Sequence, residues 1–206
     1  MNARRAVSFG EILDGAPADS DGRRRRSQDS RARIVTAMLE LTRAGEITPG
    51  AEQVAARAKV GPRTVFRHFK DMDSLYREIF RVIEDELLDG LARPFKAATW
   101  QSRVLELIER RSRAYDRIAP FRRAADVHRH NSPFLDERRD RLAARSREIL
   151  VRQLPAKLAG DALWLETLDL LLSYEAWNRL RRDQGLTARR AREVLAAAVK
   201  QVLELS

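Results

Sequence analysis

Apolar residues recur at spacings of three and four along almost the whole chain. Nowhere do they sustain the alternation that a half-buried strand requires. β-Branched residues are scattered rather than gathered into runs. This periodicity restricts the chain to helices packed on helices, an all-α fold. A chain of 206 residues suffices for one large domain or two small ones. It can bury on the order of two-thirds of the surface its unfolded form exposes.

The pattern predicts a first helix from about Ser30 to Arg43, with Ile34, Ala37, Met38 and Leu41 on one face and Gly45 as its stop. Thr48-Pro49 opens a short helix with Val54, Ala55 and Ala58 inward. Val60-Gly61-Pro62 breaks it, and the next helix is expected to bury Val65, Phe66 and Phe69. Asp71 then caps a longer helix through Leu75, Ile79, Val82, Ile83 and Leu87. Pro94, Pro120, Pro133 and Pro155 are expected boundaries. Between them run the stripes Leu105, Ile108, Ser112, Tyr115 and Leu135, Leu142, Ile149, Leu150, Leu154. The last two helices are predicted over 161–182, apolar on more than one face, and 187–205. There is no internal repeat.

Composition narrows the function classes. Cysteine is absent, which excludes a disulfide framework, cysteine-based zinc fingers, iron–sulfur clusters and cysteine nucleophiles. The longest clean apolar run is Val194 to Val199, far short of the ~18 residues of a membrane span. Residues 6–10 are too short for the apolar core of a secretory signal, so an unexported, cytoplasmic protein is expected. No Glu-x-x-His, glycine-rich phosphate loop or Gly-x-Ser-x-Gly occurs, which argues against an enzyme, a helical-bundle metalloenzyme included. Asp126 and His130 share a helical face, but the only other histidines are His128 and His68, and Arg129 stands between the two candidate ligands. No metal and no cofactor is expected.

There are 40 Lys+Arg against 30 Asp+Glu, a net charge of +10, and the excess is uneven. Residues 22–70 carry twelve cationic and four acidic groups, whereas residues 1–21 carry two and four. Such a patch attracts polyanions by counterion release. It lacks the Trp/Phe/Leu face of a membrane-surface helix. Within it, two short helices joined by a tight turn have the size of a helix-turn-helix. The second, Pro62–Phe69, is short enough to lie in a major groove about 12 Å wide. It turns Arg63, Thr64, Arg67 and His68 outward, and arginine grips guanine or phosphate through two hydrogen bonds.

Residues 30–80 resemble the N-terminal DNA-binding domain of the TetR family of bacterial transcriptional regulators. The resemblance is carried by the run from Thr48 to Ala58, by Val60-Gly61-Pro62-Arg63-Thr64-Val65-Phe66-Arg67-His68-Phe69, and by Asp73-Ser74-Leu75. The family's recognition helix reads threonine, aliphatic, aromatic, any residue, histidine, phenylalanine, and residues 64–69 match throughout. Three positions depart from it. Phe66 stands where the family usually has a tyrosine whose hydroxyl reaches a phosphate, and Phe66 keeps the packing without that bond. Met72 stands where lysine is frequent, with Lys70 two residues away. The turn reads Lys59-Val60-Gly61 rather than Gly-Val-Ser.

The resemblance implies a three-helix DNA-binding unit over 30–75 and an effector-binding and dimerisation bundle over 76–206, about nine helices in all. Residues 1–29 are expected to be a disordered arm, with Arg23, Arg24, Arg25 and Arg26 available to a minor groove. DNA contacts are then expected from that arm and from Thr48, Pro62, Arg63, Thr64, Phe66, Arg67, His68 and Lys70. The family further implies a homodimer formed by the two C-terminal helices. It also implies a palindromic double-stranded operator and repression relieved by a small-molecule effector. Interface residues are expected at Leu168, Leu171, Tyr174, Trp177, Val194, Ala198 and Val202. The effector cavity would draw on Trp100, Tyr115, Phe121, His128, Phe134 and Trp164. The alternative within the same charge pattern is a sequence-nonspecific architectural protein of the nucleoid.

Overall fold

The computed structural model describes residues 18–128 and 133–204, apart from the side chains at 18–21, 23, 128, 133, 135 and 136. The described residues form helices and connecting turns, and no strand occurs among them. In chain order the helices are α1 (Ala18–Arg43), α2 (Ala51–Ala58), α3 (Pro62–His68), α4 (Met72–Ala92), α5 (Trp100–His128), α6 (Pro133–Val151), α7 (Ala156–Ala159), α8 (Ala162–Leu171), α9 (Tyr174–Asn178) and α10 (Ala188–Glu204). A π-helical turn, Arg179–Asp183, continues α9.

α5 lies at the centre and packs on α1, α4, α6, α9 and α10. One continuous buried cluster runs from Ile34 and Met38 of α1 through Leu75 and Ile79 of α4 and Leu107 and Phe121 of α5 to Leu195 and Val199 of α10. α4 passes unbroken through the 75/76 boundary. The head that carries α2 and α3 is thereby joined to the larger helical body by one rigid rod as well as by α1.

Three expectations need correcting. Residues 18–29 are helical rather than a disordered arm, while 1–17 lie outside the described residues. From Ala18 to Arg43 there is no proline and only one glycine, Gly22, and the run of arginines with Gln28 consists of good helix formers. Pro120 is not a boundary but sits inside α5. A proline removes one helix hydrogen bond, and here Ile118, Phe121 and Ala124, all buried, hold the helix together across the defect. The expected helix over 161–182 is broken at Leu172. Ser173 caps α9, its Oγ accepting from the Ala176 N–H at 3.1 Å.

Arg111 shows what stabilises that break. It is buried on α5, and its guanidinium donates to the Leu172 carbonyl at 2.9 Å and to the Ser146 carbonyl at 2.6 Å. The Tyr115 hydroxyl donates to the same Leu172 carbonyl at 2.8 Å. Two buried donors thus satisfy the carbonyl that the interrupted helix leaves unpaired.

The break also reorients the last helices. Trp177 is 2% exposed and its indole N–H donates to Asp116 of α5 at 3.0 Å. Leu168 is fully buried. Both belong to the chain's own core, so neither is free for the interface role expected of it. Tyr174 is half-buried, edge-on to Tyr115 and beneath Arg122. The exposed apolar side chains of α8 are instead Leu163 and Leu170, at 77% and 66% exposure. Leu171, Val194, Ala198 and Val202 are half-buried.

Candidate nucleic-acid interface

Local chemistry builds the α2–α3 unit. Gly50 precedes α2, and its N–H donates to the Gln53 side chain at 2.9 Å. α2 ends at Lys59, which takes the left-handed conformation (φ 54°) and returns its N–H to Ala56. This is the only positive φ at a non-glycine among the described residues. Gly61 then leads into Pro62, whose fixed φ and missing N–H suit the first helical position. Asp71 caps α4, accepting from the Ser74 N–H at 2.8 Å, and that bond holds the Asp71 carboxyl below its ordinary range.

α3 has seven residues, about 10 Å of helix. Val65 and Phe69 are buried on its inner side. Arg63 and Arg67 are exposed on the other side, with Lys70 just beyond and Lys59 in the turn before. None of these four cations makes an ion pair among the described residues. Thr48 is exposed in the loop before α2, and the Tyr76 hydroxyl donates to the neighbouring Ile47 carbonyl at 3.3 Å. Arg24, Arg25 and Arg26 are exposed on the first turns of α1.

Phe66 differs from expectation. Its spacing groups it with the packing residues, yet it is 53% exposed. Val65 and Phe69, four apart, already fill the inner side, and position 66 lies about 100° around the helix from 65. A bare aromatic ring is therefore exposed beside Arg63 and Arg67. Met72 packs against the core, so the cation of this region is Lys70.

His68 is half-buried. Its Nε2 is buried without a hydrogen-bond partner. Desolvation, reinforced by the charges of Arg67 and Arg31, pushes its pKa below the ordinary histidine value. The fold thus disfavours the charged imidazole. Arg31 of α1 lies 4.8 Å above the Phe69 ring and pairs with Glu78 of α4 at 3.0 Å, which holds the Glu78 carboxyl below its usual range. One side chain thus ties the end of α3 to α4.

The expected effector residues do not converge. Trp100 and Trp164 pack edge to face at 6.2 Å, and the Trp164 indole donates to Val202 at 3.1 Å. Tyr115 is buried beneath the α8–α9 break. Phe134 lies under Arg77 and Arg138. His130 and the His128 side chain lie outside the described residues. Phe121, of this set, lines a cleft of about 70 Å³ between α4, α5 and α6 that it shares with Phe80, Ile83, Leu87 and the Glu84–Arg138 ion pair. The signal that spacing could not supply is which aromatic faces a hollow and which fills the core. No helix among the described residues is long and apolar enough to cross a membrane.

The whole arrangement superposes on solved structures. A TetR-family transcriptional regulator from Streptomyces coelicolor matches with a TM-score of 0.66 at 15% identity, over 86% of this chain and 80% of that one. A transcriptional regulator from Rhodococcus sp. Rha1 matches at 0.62 and 20% identity, over 84% and 96%. A TetR family transcription regulator from Marinobacter aquaeolei VT8 matches at 0.51 and 16%, over 85% and 97%. The chain has the fold of the TetR-family transcriptional regulators. No family model and no curated protein matches the sequence. In the TetR-like fold seen here, α2 and α3 form the helix-turn-helix, and α4 carries that head onto the body.

Proposed function

We propose that the protein is a sequence-specific DNA-binding transcriptional regulator of the TetR type. The observation that carries this reading is the outer side of α3, where Arg63, Phe66, Arg67 and Lys70 are exposed, and the three cations unpaired, on a helix anchored by Val65 and Phe69. Two arginines one turn apart suit guanine edges or phosphates, and an exposed ring suits a thymine methyl. Thr48, Thr64 and His68 position the helix on the backbone. Arg24, Arg25 and Arg26 lie on a helix, which favours contact along the phosphates over threading of an extended arm into the minor groove.

The active species in this reading is a homodimer. Leu163 and Leu170 are two turns apart on α8 and exposed, and Val194, Ala198 and Val202 form a row of fourth residues on α10. These faces are what a four-helix interface between two subunits needs. Two reading heads related by a two-fold axis require a palindromic operator. A small effector that favours the DNA-incompetent arrangement would then release it.

Selection from a random duplex library by the purified full-length chain tests the reading. An enriched palindrome is the expected result. Retention of duplexes without enrichment would replace this reading with the architectural one.

A further inference from the structure

An open groove of about 1040 Å³ runs between α4 and α5, on the side where α1 ends. Its floor is the buried edges of Ile83, Leu87, Ile118 and Phe121, which also line the smaller cleft toward α6. Its rim carries six cationic side chains and three glutamates. Each glutamate is already engaged: Glu86 with Arg43 at 4.0 Å, Glu106 with Arg110 at 2.6 Å, and Glu109 with Arg113 at 3.5 Å. That leaves Arg93, Lys96 and Arg117, which are exposed and make no ion pair among the described residues.

The rim is built rather than incidental. Arg93 and Lys96 belong to the segment that follows α4, and Arg110 and Glu106 fix that segment from α5. The Arg110 guanidinium donates to the Leu91, Arg93 and Pro94 carbonyls and stacks on Phe95 at 4.0 Å. The Glu106 carboxylate accepts from the Lys96 N–H at 3.0 Å and the Ala97 N–H at 3.1 Å. Cations held on a fixed backbone above an apolar floor match a ligand with an anionic head and an apolar body.

We propose that this groove binds a small amphipathic carboxylate, its head among Arg93, Lys96 and Arg117 and its body over Ile83, Leu87 and Phe121. The site also has a route to the reading head. Arg43, the last residue of α1, lies 5.8 Å from the Phe121 ring and 4.0 Å from Glu86. A body lying on Phe121 displaces Arg43 from the ring, and α1 in turn packs on α2, α3 and α4. Ligand and DNA affinities are then coupled reciprocally. This coupling rests on the regulator reading; the binding chemistry of the groove does not.

The test is calorimetric titration of the full chain with dodecanoate below its micelle concentration, beside dodecyltrimethylammonium, with duplex retention measured separately. Saturable dodecanoate binding is expected. It should weaken about tenfold or more for the cationic probe and for the Arg93→Gln/Lys96→Gln/Arg117→Gln variant, as loss of charged hydrogen bonds entails. The three substituted residues are exposed and unpaired, so the fold should survive, and circular dichroism checks this. Equal affinity for both probes, an unaffected variant, or no saturable binding would overturn the groove assignment. Duplex binding without charge-selective dodecanoate binding overturns the groove and leaves the regulator reading standing. Charge-selective dodecanoate binding by a chain that retains no duplex overturns the regulator reading and leaves the groove.

Discussion

Arg67 on α3 is exposed and makes no ion pair among the described residues, whereas Arg111 on α5 is buried, donates to two carbonyls and lies 3.7 Å from Asp169. The contrast extends to the regions around them. In the body, Arg110, Arg122 and Arg138 are each matched to a carboxylate. Around α3, Arg63, Arg67, Lys70 and Lys59 are matched to none. A chain rich in arginine can spend the residue on its own architecture or leave it free for a polyanion. Net charge does not distinguish these uses; pairing separates built-in cations from free ones, and position separates α3 from the groove rim, where Arg93, Lys96 and Arg117 are also unpaired.

The contrast breaks first at Arg111. Arg111→Ala should destabilise the fold by about 3–5 kcal/mol, because it strands the buried partners of the guanidinium. Urea unfolding measures this, and a loss below about 1 kcal/mol would mean the α8–α9 break needs no such clamp. Trp177→Ala should cost about 3–5 kcal/mol of subunit stability, since the ring fills the core rather than an interface. Leu163→Ser/Leu170→Ser should do the opposite. Those side chains are already exposed, so the subunit should hold while the dimer, followed by sedimentation, dissociates at higher concentration.

In the head, Arg67→Ala should leave unfolding within about 0.5 kcal/mol of wild type. It should weaken operator binding by about 1–3 kcal/mol. Anisotropy titration at fixed salt compares the two. A stability loss with unchanged affinity would erase the distinction between head and body.

The smallest expected effect is at His68. Its folded pKa is lowered, so as pH falls through the unfolded value near ~6.5 the unfolded chain takes up the proton first. Stability should therefore decline below that pH until the folded pKa is passed, and His68→Gln should flatten the decline. An identical pH profile for the variant would show that the imidazole is not held neutral by the fold.

Much of the head was legible in the sequence because local signals agreed there. Gly61-Pro62 marks one helix start, Asp71-x-x-Ser74 marks another, and Val65 and Phe69 lie four apart. Phe66 is misplaced because it falls with Val65 and Phe69 within about 100° of helix, a normal apolar face, and sequence does not say that the buried face of α3 is narrower than that. The body was less legible for a related reason. Helix 162–171 is apolar nearly all round, so periodicity could not separate the core face, with Leu168, from the free face, with Leu163 and Leu170. Ser173 carried a usable capping signal that the surrounding leucines masked. Pro120 misled because burial outweighs the one hydrogen bond it removes. The effector side was least legible: a hollow is made by residues far apart in sequence, and aromatic identity does not reveal it.

The central claim is that the unpaired cations of α3 read DNA sequence. Affinities of wild type and of Arg63→Ala/Arg67→Ala should be measured by anisotropy on the selected duplex and on a scrambled duplex, at two salt concentrations. The account predicts that the double variant loses most of its preference for the selected duplex while retaining its fold and its weak, salt-sensitive binding to both. A double variant that keeps the full preference would contradict it and move sequence readout away from α3.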